Sequence, residues 1–260
     1  MRDITLEELL EAGCHFGHQV NRRNPKADEY IFEARSNVHI INLEKTREGL
    51  LNAAKYVREL SARGGSMIII GTKKQAKGVV KEEVARANKE TPGKLYSITA
   101  RWVGGTLTNF SEVSKNIKKL KNIEELLSTS KKENYTKREQ ILFEKEKLKL
   151  QDFYGGIADM TELPDALFII GTQAENTAVQ ESKRMNVETV GVVDTNADPS
   201  VINYPIPAND DAVGSIKLIT AFIVDAWIEG KKEKDKADEK AAAKEAKEKA
   251  KEKTEDIKAA

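Results

Sequence analysis

The sequence predicts an α/β protein: a three-layer α/β/α, doubly wound, mostly parallel sheet, flavodoxin-like or Rossmann-like, with an inserted α-helical coiled-coil hairpin. Two observations predict the sheet. SMIIIG, DALFIIG and ETVGVVD are uninterrupted apolar runs, the pattern of strands covered on both faces, and helical periodicity recurs between such runs. A third predicts the insertion: between Ser111 and Leu150 there is no strand signal, and Val113, Ile117, Leu120, Ile123 and Leu127 recur three or four residues apart among lysines and glutamates.

Taken in order, Thr5 with Glu8, ahead of Leu6, Leu9 and Leu10 and closed by Gly13, reads as a short capped helix. NVHIINL (37–43) has the β-branched content of a strand, and the next segment is helical through Leu50, Ala54, Val57 and Leu60. SMIIIG, a helix over TKKQAKGVVKEEVARANKE and the strand LYSITAR follow. After the hairpin come DALFIIG, a helix over ENTAVQESKRM, ETVGVVD, a loop-like TNADPSVINYPIPANDD and a final helix, DAVGSIKLITAFIVDAWIEG. The expected organisation is a body of residues 1–110 plus 151–230, the hairpin at 111–150, and a low-complexity tail at 231–260. That tail lacks aromatics and has little apolar side chain beyond alanine to bury, so it is expected to be disordered or transiently helical.

The formal net charge of +1 hides an asymmetry. Residues 1–150 carry 29 Lys and Arg against 20 Asp and Glu, residues 151–230 carry 3 against 13, and the tail 11 against 9. A basic half of this kind suits a polyanion, with the acidic part facing water or a basic partner. The single cysteine, Cys14, allows no internal disulfide, and MRDITLEELL places charges where a signal peptide needs an apolar run. The expected location is the cytoplasm, with no membrane span.

The segment GCHFGHQVNRRNPK (13–26) sets Cys14, His15 and His18 beside three cations. Zinc would need convergent ligands, and only His39 remains among the histidines, so the imidazoles are read as hydrogen-bond donors to backbone or phosphate. Asp194, Asp210 and Asp211 follow predicted strands and are weak candidates for a magnesium site. Helix capping by Asp210 and a turn at Asp194 are the alternative reading, and no cofactor is expected. There is no G-x-G-x-x-G after a strand, GTKKQAKG is not a P-loop, and no G-x-S-x-G elbow occurs. What GTKKQ offers is a helix N-terminus with Thr72, Lys73 and Lys74, suited to a phosphate. In RWVGGTLTNF, Gly104 and Gly105 allow close approach, Thr106, Thr108 and Asn109 are donors, Arg101 is a guanidinium fork, and Trp102 and Phe110 read as packing aromatics.

Eight ordered blocks then coincide with one family: HFGH with NPK and YIF, HIINLEKT, GTKKQA, RWVGGTLTNF, GGIADM, LPDALF, VDTNADP and YPIPANDDA. The chain resembles the bacterial small-subunit ribosomal protein S2 family over about residues 5–229, departing from it at Ala27, where methionine is common, and at Gly171, where an acidic residue is usual. The resemblance implies a structural constituent of the small ribosomal subunit, without catalytic activity, located on the ribosome in the cytoplasm. Its implied partners are ribosomal RNA and neighbouring ribosomal proteins, a messenger-binding one among them, rather than a second copy of itself. Carried over by position, the RNA-facing residues would be His15, His18, Arg22, Arg23, Lys26, Lys73, Lys74, Arg101, Thr106 and Asn109. The competing reading is a nucleotide- or metal-dependent enzyme using Asp194, Asp210 and Asp211 at the carboxyl edge of the sheet.

Overall fold

The computed structural model describes residues 3–129 and 135–259, with side chains through 236 and at 238. The chain begins with α1 (Leu6–Glu11), whose capping box is formed by Thr5 and Glu8 as the sequence predicts. Next come β1 (Phe16–Gln19), β2 (Ile31–Arg35) and β3 (Val38–Ile41), which pair only with one another in an antiparallel sheet of order β1-β3-β2. NVHIINL is therefore a strand, but it lies outside the parallel sheet. Its residues alternate between half-buried and buried, the mark of a sheet covered on one face.

The parallel sheet is built from β4 (Met67–Ile70), β5 (Leu95–Ile98), β6 (Ala166–Ile170), β7 (Glu188–Val193) and β8 (Tyr204–Pro207), in the order β5-β4-β6-β7-β8. Renumbered within the sheet this is 2-1-3-4-5, the flavodoxin-like order, with its switch point between β4 and β6. β8 lies within the stretch read from sequence as loop. Pro205 and Pro207 obscure it, and they are tolerated because β8 is an edge strand bonded only to β7.

Both faces of the sheet are covered. Met67, Ile69, Phe168 and Ile170 point toward α2 (Leu43–Ala62), α3 (Lys74–Glu90) and the first turns of α7 (Val213–Ala259), where Leu50, Val57, Val80, Ile223 and Trp227 complete the core. Ile68, Ile70, Leu167 and Ile169 point the other way, into a second core with Val179 of α6 (Asn176–Met185). The same core takes in Ile117 and Leu120 of α4 (Phe110–Ser128) and Tyr154 of α5 (Lys137–Tyr154). This alternation, period two along strands buried throughout, explains why these strands read as unbroken apolar runs.

Helices α4 and α5 lie between β5 and β6, pack on each other, and are cross-linked by Lys119–Glu146 and Lys147–Glu124 pairs. Residues 130–134 of the expected hairpin lie outside the described residues. The last helix, α7, continues without a break to Ala259. Alanine, lysine and glutamate, which dominate its last turns, are strong helix formers. Side chains at 237 and from 239 on lie outside the described residues. No helix among the described residues is long and apolar enough to cross a membrane.

Candidate functional site

The carboxyl edge of the parallel sheet is where this fold class usually places a ligand, and here the chain fills it with its own charges. Lys73 leaves the end of β4 at the switch point and passes over Gly171 at the end of β6. A Cβ on Gly171 would lie 2.9 Å from the Lys73 Cε, and the residue has φ +83°, two reasons for glycine at this position. The Lys73 ammonium ends 2.7 Å from Asp210 Oδ1 and 2.8 Å from Asp211 Oδ1. Beside it, His18 Nδ1 contacts Asp194 Oδ2 at 3.1 Å and Nε2 approaches Asp211 Oδ2 at 3.5 Å.

The protonation states follow from these contacts. Burial pushes the Asp210 carboxyl up, Asp194 adds to the rise and Lys73 opposes it, leaving it at about 6. The Asp194 hydrogen bond raises His18 against its burial. Burial lowers Lys73, but Asp210 and Asp211 outweigh it and hold the ammonium above the usual lysine value. Among the described residues, His18, Asp194 and Asp210 form a set of potential metal ligands whose atoms lie within 4.8 Å of one another. Cys14 and His15 do not belong to it, which separates this geometry from the zinc reading. The Lys73 ammonium already sits on Asp210, where a metal cation would have to displace it.

The segment 13–26 is docked on the loop after β7 rather than projecting from the body. Gly17 lies inside β1, and a Cβ there would come 2.7 Å from the Thr195 side chain, so it serves close approach and not a turn. Gly13, at φ +75°, does make one. His18 N–H donates to Thr195 Oγ1 (2.9 Å), and Asn24 N–H donates to the Thr195 carbonyl (2.8 Å). Lys26 Nζ reaches Asp198 (2.6 Å) and Ser200 (3.0 Å). The NPK motif itself is a helix start: Asn24 accepts from Lys26 N–H, and Pro25 occupies the first helical position.

The ten residues carried over by resemblance therefore divide. His18, Arg23 (3.3 Å from Asp28), Lys26 and Lys73 are held by carboxylates of the chain. Thr106 is 1% exposed and its hydroxyl donates to the Val103 carbonyl, so it faces the interior and not a partner. His15 is half-buried against Phe16, with burial lowering its pKa. Arg22, Lys74, Arg101 and Asn109 are exposed. Among the described residues no ion pair engages Arg22, Lys74 or Arg101; Arg22 also lines a cleft of about 300 Å³ with His18, Asp194 and Asp211. The acidic segment, expected to face water or a basic partner, instead partly neutralises the basic half, through Asp198, Asp210 and Asp211 and through Asp225, which pairs with Arg86.

One assignment made from sequence changes. Asn209, not Asp210, caps the approach to α7: its side-chain oxygen accepts from Asp211 N–H (2.8 Å) and Ala212 N–H (3.1 Å). Asp194 does form a turn contact, accepting from the Thr195 hydroxyl (3.1 Å). A residue missed altogether is Glu181, whose carboxylate accepts from Trp102 Nε1 (3.2 Å), Gly105 N–H (2.7 Å), Leu107 N–H (3.0 Å) and Thr108 N–H (3.3 Å). Its only sequence signal is an acid among Ala178, Val179 and Ser182 on the buried face of α6.

A family model described as ribosomal protein S2 matches residues 9–230. The match takes in the antiparallel sheet, the whole parallel sheet and the helical pair, and leaves out the charged tail. Proteins of that family are structural components of the small ribosomal subunit, associated with its RNA and with other ribosomal proteins; they are not enzymes, which removes the enzymatic reading of the acidic edge. With most of its length matched, and with the sheet order and the ion-paired edge as described, the chain belongs to the ribosomal protein S2 family and is a structural constituent of the small ribosomal subunit.

Proposed function

We propose that the protein docks on folded ribosomal RNA through the loops at the carboxyl edge of its parallel sheet, with Arg22, Lys74 and Arg101 opposing phosphates and Asn109 adding a hydrogen bond. The observation that carries this reading is the division of the cations: these three are exposed and free of internal ion pairs among the described residues, while Lys73, Lys26, Arg23 and His18 are engaged by carboxylates. Lys74 follows β4, Arg101 follows β5, and Arg22 stands beside the residues that follow β7 and β8. Phosphate contacts of this kind fix position and carry no base sequence.

In this reading the body comprises residues 1–110 and 151–230, and the helical pair, a coiled-coil-like hairpin inserted at 111–150, is a second contact surface for RNA or a neighbouring protein, a messenger-binding one included. The protein acts in the cytoplasm as a single copy per subunit. It needs no cofactor or magnesium ion at the sheet edge, since Lys73 supplies the positive charge that Asp210 and Asp211 require.

Gradient sedimentation of tagged protein with small-subunit RNA tests the proposal. Arg22→Ala, Lys74→Ala and Arg101→Ala should each weaken co-migration and lower the salt slope of binding by about 1. Variants that all co-migrate like the parent at every salt concentration would overturn it.

A further inference from the structure

The loop between β5 and α4 has almost no regular backbone pairing to hold its shape, yet it carries Arg101 and Asn109 and leads directly into the helical pair. Its N–H groups at Gly105, Leu107 and Thr108 turn inward and form a concave set of donors, an arrangement that ordinarily receives an anion. Gly105, at φ +90°, permits the turn that gathers them. The anion here is internal: the Glu181 carboxylate, 6% exposed, takes all three N–H groups and the Trp102 indole as well. Burial raises the Glu181 pKa, but the hydrogen bonds from Gly105, Leu107, Trp102 and Thr108 outweigh it and hold the carboxyl below the usual glutamate value.

We infer that Glu181 is a positioning residue for the RNA interface: by binding the inner side of the loop it fixes how Arg101 and Asn109 face outward. This rests on the docking reading above. Among the described residues, every hydrogen bond the Glu181 carboxylate accepts comes from residues 102–108, which directs its effect to that loop. The loop donors, being occupied, are not the phosphate contacts; the outward side chains are. Because α4 begins at Phe110, the same carboxylate also fixes where the helical pair leaves the body.

A double-mutant cycle on the full chain, read by binding to small-subunit RNA at fixed salt, tests this. Arg101→Ala should weaken the parent several-fold, yet change a Glu181→Ala protein by less than about two-fold, because Arg101 is no longer held in place. Arg22→Ala should keep its full effect in both backgrounds. Amide exchange should accelerate at Gly105, Leu107 and Thr108, with the strands unaffected. If Glu181→Ala does not fold, Glu181→Gln replaces it, since the amide keeps the size but sets its own N–H₂ against N–H donors.

The outcomes separate. If Arg101→Ala costs as much with Glu181 replaced as with it present, or exchange rises across the whole body, the positioning role is overturned while RNA docking stands. If Arg101→Ala is silent in the parent while Arg22→Ala and Lys74→Ala weaken binding, Arg101 is not at the interface and the inference fails with it. If all three are silent, the docking reading itself fails.

Discussion

Asp210→Asn should flatten the dependence of folding stability on pH. Asp210 is 1% exposed, and burial, then Asp194, lift its carboxyl from 3.8 to about 6 against the opposing pull of Lys73. Its folded value lies above its unfolded value, so the native state holds the proton more tightly and stability falls as pH rises through that window. The gap, about 6 minus 3.8, corresponds to about 3 kcal/mol at roughly 1.36 kcal/mol per unit, of which about half is lost between pH ~5 and ~7.5. His18 works in the same direction: its pKa is raised, so its contribution is present below its unfolded value of 6.5 and is lost as pH rises through the folded value. Asparagine keeps the shape of residue 210 and removes its titration, leaving the part of the His18 slope that the Asp194 hydrogen bond sustains. Urea unfolding at pH values from ~5 to ~7.5 measures this directly. A variant with the full slope of the parent would refute the assignment of the buried charge to Asp210.

Other expected outcomes follow from packing and screening. A Cβ on Gly156 would overlap the Ser97 carbonyl oxygen, so Gly156→Ala should cost about 1–3 kcal/mol or more, seen as a lower melting temperature. Trp227→Ala removes one of the largest fully buried side chains and should cost about 3–5 kcal/mol in chemical denaturation. Lys26→Ala, by contrast, breaks an ion pair whose lysine is 59% exposed, and its unfolding free energy should fall by no more than ~1 kcal/mol, less in high salt. A larger loss would mean that the pair with Asp198 holds segment 13–26 in place.

Much of the fold is legible in the sequence because it rests on local periods. SMIIIG and DALFIIG are continuous because strands covered on both faces bury every residue, and the Thr5 capping box is written within four residues. The heptad-like spacing of Val113, Ile117 and Leu120 likewise forecasts a helix that buries one stripe, and these three side chains are in the second core. NVHIINL reads as a strand, and only its one-sided burial puts it in a separate sheet; YPIP is missed because its prolines, permitted by its edge position, break the pattern.

The α/β class, the order of most elements, the inserted helices and, through eight ordered motifs, the family are all readable from residue order alone. Which charges are free is settled by the folded arrangement. Lys73 meets Asp210 across 137 positions of chain, Lys26 meets Asp198 across 172, and the Glu181 carboxylate reaches back more than 70 residues to Gly105. A cation reads the same in sequence whether it faces a phosphate or a carboxylate of its own chain. Local propensity carries no information about a partner that topology alone brings within 3 Å, and so Arg22, Lys74 and Arg101 separate from their neighbours only once the sheet order is known.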